Sequence, residues 1–171
     1  MMNTLMRECD GLDPRIKRTR QLLCGALRTL LKKKEFDCIS VQDIAEAATL
    51  NRATFYAHYP DKFALLEELI RTSFLDFLEK RNVRFDGTCP SAFRAIILAV
   101  CDYLAEVHKA QSSHQLQFEP LVESTIINQV RLVLLEGFRR HPEERRISGE
   151  MIAATASWAI YGAAKEWVGS E

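Results

Sequence analysis

The chain has 171 residues, 47% of them hydrophobic, with 7 Gly and 5 Pro and a formal net charge of zero. That length can bury a real core in one large or two small domains, and the composition argues for a globular, helix-rich protein rather than a disordered one. No uncharged run reaches the roughly 18 residues that a transmembrane helix needs; the longest candidate, Met151 to Ala164, is closed off by Glu150 and Lys165.

Residues 1–13 read as an N-terminal tail. They hold no apolar core followed by a small-residue cleavage site, which points to a cytoplasmic chain. The five cysteines, Cys9, Cys24, Cys38, Cys89 and Cys101, are odd in number and widely spaced. This fits neither a disulfide framework nor a CxxC metal knuckle, and the expectation is reduced thiols, several of them small buried apolar groups. The four histidines form no HExxH-like pair, so no metal site and no cofactor are expected.

Asp13-Pro14 is a helix start, with an N-cap acid and a proline at the first helical position. Ile16, Leu23, Leu27, Leu30 and Leu31 recur at helical spacing, Leu22 and Ala26 widen the stripe, and Lys32 to Lys34 suit a C-terminal turn, giving a helix over 14–34. Ser40-Val-Gln-Asp43 reads as a capping box for a two-turn helix whose apolar face is Val41, Ile44, Ala45 and Ala48. Thr49-Leu50 leaves room only for a tight turn before Asn51, a second N-cap. A third helix then runs from Arg52 to about Tyr59, where Pro60 stops it. Asp61 caps a fourth, bearing Phe63, Leu66, Ile70, Phe74, Phe77 and Leu78. This succession has the outline of a helix-turn-helix.

At about 100° per residue, Phe55 and Tyr59 fall within about 40° of each other and mark the buried side of the third helix. Ala53 and Ala57 lie opposite, so the outward face carries little bulk at its centre and polar groups around it, a shape that fits a groove. Charge points the same way. Pro14 to Lys62 holds ten Lys and Arg against five Asp and Glu, a net of +5, while the remainder is −5. A basic first third on an acidic body suits a protein that meets a polyanion at one end.

The stretch "ISVQDIAEAATLNRATFYAHYPDKFALL", with the basic helix before it, resembles the DNA-binding domain of the TetR family of bacterial transcriptional regulators. The resemblance covers about Pro14 to Leu66 and rests on a small-residue second helix followed by the family pattern TFYxHFxxK. Tyr59 stands where the family usually has Phe. Thr49 stands where it usually has glycine, and slight strain is expected there. The resemblance implies an all-α chain, with a helix-turn-helix domain at 14–62 joined to a dimerising C-terminal helical bundle at 63–171. It also implies a sequence-specific regulator of transcription, most often a repressor, that binds palindromic double-stranded DNA as a homodimer. Gln42, Arg52, Ala53 and Tyr56 match positions that approach base edges; Ser40, Asn51, Thr54, His58 and Lys62 match positions that hold the DNA backbone. Gln suits adenine, Arg suits guanine, and an Ala methyl can touch thymine. Ser40 and Asn51 are also accounted for as N-caps. Lys62 opens the fourth helix, where the dipole disfavours a cation by about 0.3–1 kcal/mol, and a phosphate contact would explain it.

Beyond the turn-rich "RNVRFDGTCP", Ser91 begins a helix with Phe93, Ile96, Ile97, Val100, Cys101 and Leu104, fraying near "HKAQSSHQ". Another runs over Gln117 to Arg140, the polar "HPEERRIS" reads as a loop, and a last helix runs from Ser148 to about Val168. Ile152, Ala153, Ala156, Trp158, Ala159, Ile160, Ala163 and Ala164 leave that helix almost no polar face, so it needs cover on several sides, from a second subunit or as a central core helix. The resemblance implies a small-molecule pocket in the C-terminal domain, for which Phe74, Phe77, Tyr103, His108, Phe118, Trp158 and Tyr161 are candidates; aromatics at this spacing are otherwise core. An adaptor of the same fold acting through a protein partner is the rival reading. Paired carboxylates, a Ser/His/Asp set and a phosphate loop are all missing in interpretable context, so no enzyme is expected.

Overall fold

The computed structural model describes residues 13–110, 118–140 and 147–170. Within them the chain is entirely helical: α1 Pro14–Leu31, α2 Val41–Ala47, α3 Arg52–Tyr56, α4 Lys62–Lys80, α5 Pro90–Ala110, α6 Glu119–Arg140 and α7 Gly149–Gly169, with a 3₁₀ turn at Phe36–Cys38. The expected all-α architecture holds. Its helix starts are where local chemistry puts them: the side chains of Asp13, Ser40, Asn51, Asp61 and Ser148 each accept a hydrogen bond from the first turn of the following helix.

The helix ends differ more from expectation. α1 stops at Leu31 rather than Lys34, with Lys32 as its C-cap; beyond it Lys34 pairs with Asp43 at 3.1 Å. Leu22, expected to widen the apolar stripe, faces solvent, while Leu23, Ala26 and Leu27 carry the packing. α3 ends at Tyr56, although the amides of His58 and Tyr59 still reach the Phe55 carbonyl. Pro60 disfavours helical backbone at Tyr59 and ends the run.

α1 packs on α2 and α4, α2 on α3, and α4 on α5 and α6, while α7 lies against α5 and α6. A continuous buried cluster runs from Leu23 through Phe55, Leu65 and Phe74 to Ile126 and Ala164. α7 is not a central core helix. Ala153, Ser157, Ile160, Tyr161 and Ala164 are buried, while Met151, Thr155, Trp158, Ala159, Gly162 and Ala163 are exposed along the opposite face. The described cysteines are free thiols as expected, and Cys24, Cys89 and Cys101 pack half-buried against the core, although none is fully buried and Cys38 is exposed; Cys9 lies outside the described residues. Among the described residues no helix is long and apolar enough to cross a membrane.

The α4–α5 connection is anchored. Asp86 Oδ1 accepts from the amides of Thr88 and Cys89, both at 2.9 Å, and Val83 and Phe85 are buried. Gly87, at φ +99°, rests on the α6 backbone, where an added Cβ would stand 2.8 Å from the Gly137 carbonyl oxygen. A Cβ on Gly137 would in turn meet the Phe85 ring at 2.3 Å. Gly137→Ala is therefore expected to lower stability by about 1–3 kcal/mol in urea unfolding, the usual cost of overpacking. Gly25→Ala, in open space within α1, should instead raise it by about 0.5–1 kcal/mol.

Candidate nucleic-acid interface

α2 and α3 are short, and short helices are marginal in water without tertiary support. Here both ends of the pair are secured. At the front, the Ser40 hydroxyl accepts from the Asp43 amide at 3.1 Å, and the Asp43 carboxylate accepts from the Ser40 amide and hydroxyl, both at 2.7 Å. These two Ser40 donors, with Lys34 beside them, pull the Asp43 carboxyl down to about 2. Between the helices, the Leu50 amide reaches Ala45 O at 2.8 Å and the Thr49 amide reaches Glu46 O at 3.0 Å, the double closure of a Schellman motif. Its left-handed residue is Thr49, at φ 58°. The strain expected at this position is real, since a β-branched side chain is poorly suited to positive φ.

The back of the unit is held by Lys62. Its ammonium donates to Phe36 O at 2.9 Å, Asp37 O at 3.2 Å and Ile39 O at 3.0 Å, and it lies 4.5 Å from the centroid of the Phe36 ring. An ammonium has three donors, and all are engaged inside the protein. A phosphate contact is therefore not needed to explain a cation in the first turn of α4: three carbonyls supply the negative charge. Phe36 is buried and stacks edge-on against Phe63 and Phe118, tying the turn before α2 to the beginnings of α4 and α6.

On α3, Phe55 is fully buried, Tyr59 nearly so, and Ala53 and Ala57 face outward. Among the described residues the Tyr59 hydroxyl and the Arg20 Nε are buried without hydrogen-bond partners, and the Arg20 guanidinium lies over the Tyr59 ring at 5.6 Å. The outward residues are pre-arranged. Arg52 donates to the Tyr56 hydroxyl at 3.2 Å and lies over its ring at 5.4 Å, so the two form one stacked unit with Tyr56 46% exposed. Gln42 is exposed on α2 and donates to Glu46 at 2.6 Å, an i,i+4 acceptor that the reading of the sequence did not weigh although the spacing displays it. Ser40, Asn51 and Ala53 are exposed, and Thr54, His58 and Lys62 are half-buried.

The second concave feature is a cavity of about 870 Å³ bounded by α1, α4, α5, α6 and α7. Tyr103, His108, Phe118 and Tyr161 line it. Phe74 and Trp158 do not. Phe74 is sealed in the core behind Tyr103, with the ring centroids 5.6 Å apart, and Trp158 is 60% exposed on the outer face of α7.

Comparison with known proteins follows this geometry. Residues 24–69 match the model of the bacterial regulatory proteins of the tetR family. An uncharacterized HTH-type transcriptional regulator, YxbF of Bacillus subtilis, is 30% identical over 106 residues, which cover 57% of this chain and 27% of that protein. The chain thus aligns with about a quarter of that relative's length. Among solved structures, the dihydroxyacetone kinase operon activator DhaS superposes with a TM-score of 0.56 at 18% identity, covering 88% of this chain and 84% of its own. The TetR family repressor AlkX of Dietzia sp. superposes with a TM-score of 0.51 at 18% identity, over 88% and 83%. These two likenesses concern the fold.

Two substitutions test the local account in the absence of DNA. Lys62→Met removes a donor from all three carbonyls, of which Phe36 O keeps the Ile39 amide, and is expected to cost about 2 kcal/mol in urea unfolding; an unchanged midpoint would return Lys62 to a role on DNA alone. Thr49→Gly relieves the left-handed strain and should raise stability by about 1 kcal/mol. The capped, small-residue α2, the turn closed at Thr49 and the TFYxHY helix with its following lysine all lie within residues 24–69, the segment that matches the tetR family of bacterial regulatory proteins.

Proposed function

We propose that the chain is a sequence-specific DNA-binding regulator of transcription, acting in the cytoplasm as a homodimer on a palindromic operator and controlled by an effector. The observation that carries this reading is the Arg52–Tyr56 unit. A guanidinium already stacked and hydrogen-bonded on a helix whose remaining outward residues are alanines loses little freedom when it docks, and it projects donors suited to guanine O6 and N7. Gln42, Arg52, Ala53 and Tyr56 are the residues we assign to base edges, with Ser40, Asn51, Thr54 and His58 on the backbone. Lys62 acts chiefly by placing them. Residues 14–62 form the reading unit and 63–171 the regulatory body, in which no catalytic role is assigned.

The dimer is supported by α7. Its exposed face alternates large and small residues, Met151, Thr155, Trp158, Ala159, Gly162 and Ala163, so an identical helix can approach closely with each Trp158 beside the other helix's small residues. A two-fold pairing there presents two copies of α3 to two half-sites about one helical turn apart. Repression is the simpler physical outcome, because an occupied operator overlapping a promoter excludes polymerase without further contacts. The fold itself serves both signs, since DhaS is named an activator and AlkX a repressor.

The test is a titration of purified protein with DNA from immediately upstream of its own coding region, against salt and random competitor. Saturable binding that outcompetes random DNA is expected, with a log–log salt slope of about −0.9 per phosphate neutralised. Arg52→Ala should weaken it by about 1–3 kcal/mol and relax preference at one base position. Trp158→Asp should yield a monomer in sedimentation and abolish specific binding. Binding no tighter than to competitor, or a Trp158→Asp protein that remains dimeric, contradicts the respective half of the proposal.

A further inference from the structure

The cavity has an apolar floor into which the protein sets two polar atoms that it does not use itself. Tyr103 and Tyr161 are only 5% and 4% exposed, and both line the cavity. Among the described residues neither hydroxyl has a hydrogen-bond partner, yet neither is sealed off as the Tyr59 hydroxyl is. Burial pushes both phenols up, Tyr161 to about 12, so each keeps its proton and is a donor at neutral pH. Buried donors normally find acceptors, and two left open to one cavity are a request for a ligand oxygen.

The charge of that oxygen follows from Arg28. Arg28 belongs to α1, lines the same cavity and donates one N–H to Ser73 Oγ at 3.1 Å. Its positive charge is close enough to Tyr103 to favour the phenolate. Among the described residues it meets no carboxylate, which leaves most of a planar donor fork unoccupied next to a phenol donor. Arg28 is exposed at the rim, as are the acids Asp76 and Glu106, while Glu119 is paired with Lys165. The lining as a whole is biased toward an anion: Arg28, Lys32, Lys80 and Lys165 stand against Asp76, Glu106 and Glu119.

We propose that the cavity takes a small amphiphilic acid, its apolar body against Leu66, Leu69 and Val122 and its carboxylate held between the Arg28 guanidinium and the Tyr103 hydroxyl, with Tyr161 as a second donor. This deepens, and rests on, the effector control proposed above. It also gives that control a route. Arg28 lies on the first helix of the DNA-reading unit and Tyr103 on the regulatory body, so one bound carboxylate is gripped by both halves. A ligand shifts a conformational equilibrium only through contacts that differ between its states, and a grip spanning two moving parts is such a contact.

The full-length protein, without DNA, is titrated calorimetrically with octanoate, decanoate and 4-phenylbutyrate, each beside the alcohol and amine of the same skeleton. The expected result is that at least one acid binds about tenfold or more tightly than its alcohol and amine, about 1.4 kcal/mol. Arg28→Gln and Tyr103→Phe should each weaken the acid about fivefold and leave the alcohol unchanged, which also reports that the variant is folded. Glu106→Gln should leave the acid preference intact. The proposal is overturned if no acid of the series binds, if an alcohol or amine binds as well as its acid, or if the preference survives both substitutions. Since no DNA is present, each of these results leaves the DNA-binding reading standing, and a failure to bind DNA leaves this titration interpretable.

Discussion

Three backbone carbonyls converge on the Lys62 ammonium, and the placement of α2 and α3 follows from that convergence. The two helices are too short to stand alone, and α3 buries only Phe55 within its own length. Their geometry has to come from the ends. At one end the Phe36–Ile39 segment leads directly into the Ser40 cap; at the other, Lys62 is the first residue of α4. Joining these ends turns α2, the turn and α3 into a closed unit whose internal shape is then set by the Schellman closure at Thr49 and by Phe55 and Tyr59 beneath. A lysine there resolves two deficits at once. It adds a donor to carbonyls in and just after the 3₁₀ turn, Phe36 O already accepting from the Ile39 amide, and it finds the negative charge that the N-terminus of α4 denies it.

What the sequence made legible was chemistry that acts over a few residues. Asp13, Ser40, Asn51, Asp61 and Ser148 all cap, because an N-cap bonds an amide two or three positions on and nothing distant overrules it. Thr49 was readable as strained for the same reason. The partners of Lys62 were not readable, since they are main-chain carbonyls 23 to 26 positions away and a carbonyl leaves no mark in a sequence. Side-chain direction in the body escaped for a related reason. Phe74 and Phe77 share a helix, yet only Phe77 reaches the cavity, because the crossing of α5 over α4 decides which aromatic is sealed. Trp158 and Leu22 looked like core by composition and lie outside by rotation about their helix axes.

The two halves meet through more than chain continuity. Phe36, in the turn that Lys62 grips, packs edge-on against Phe118 at the start of α6, with ring centroids 4.7 Å apart. Phe118 also lines the cavity. Arg28 reaches from α1 to Ser73 on α4 within the same region. Side chains that bound the cavity are thus packed directly on residues that position α2, and a rearrangement of the cavity wall cannot leave the turn before α2 untouched. In a densely packed interior such displacements are passed on rather than absorbed.

The contact between Gly87 and Gly137 bears on how the length of this chain can vary. Surface connections ordinarily accept insertions and deletions, because little depends on their path. The α4–α5 connection is a surface segment by position but not by this standard. Its backbone lies against the backbone of α6 with no side chain between them, and Phe85 fills the space beside Gly137. One residue added or removed between Val83 and Cys89 would lift Gly87 off α6 and draw Phe85 from its site. Length change is therefore confined to other parts of the chain.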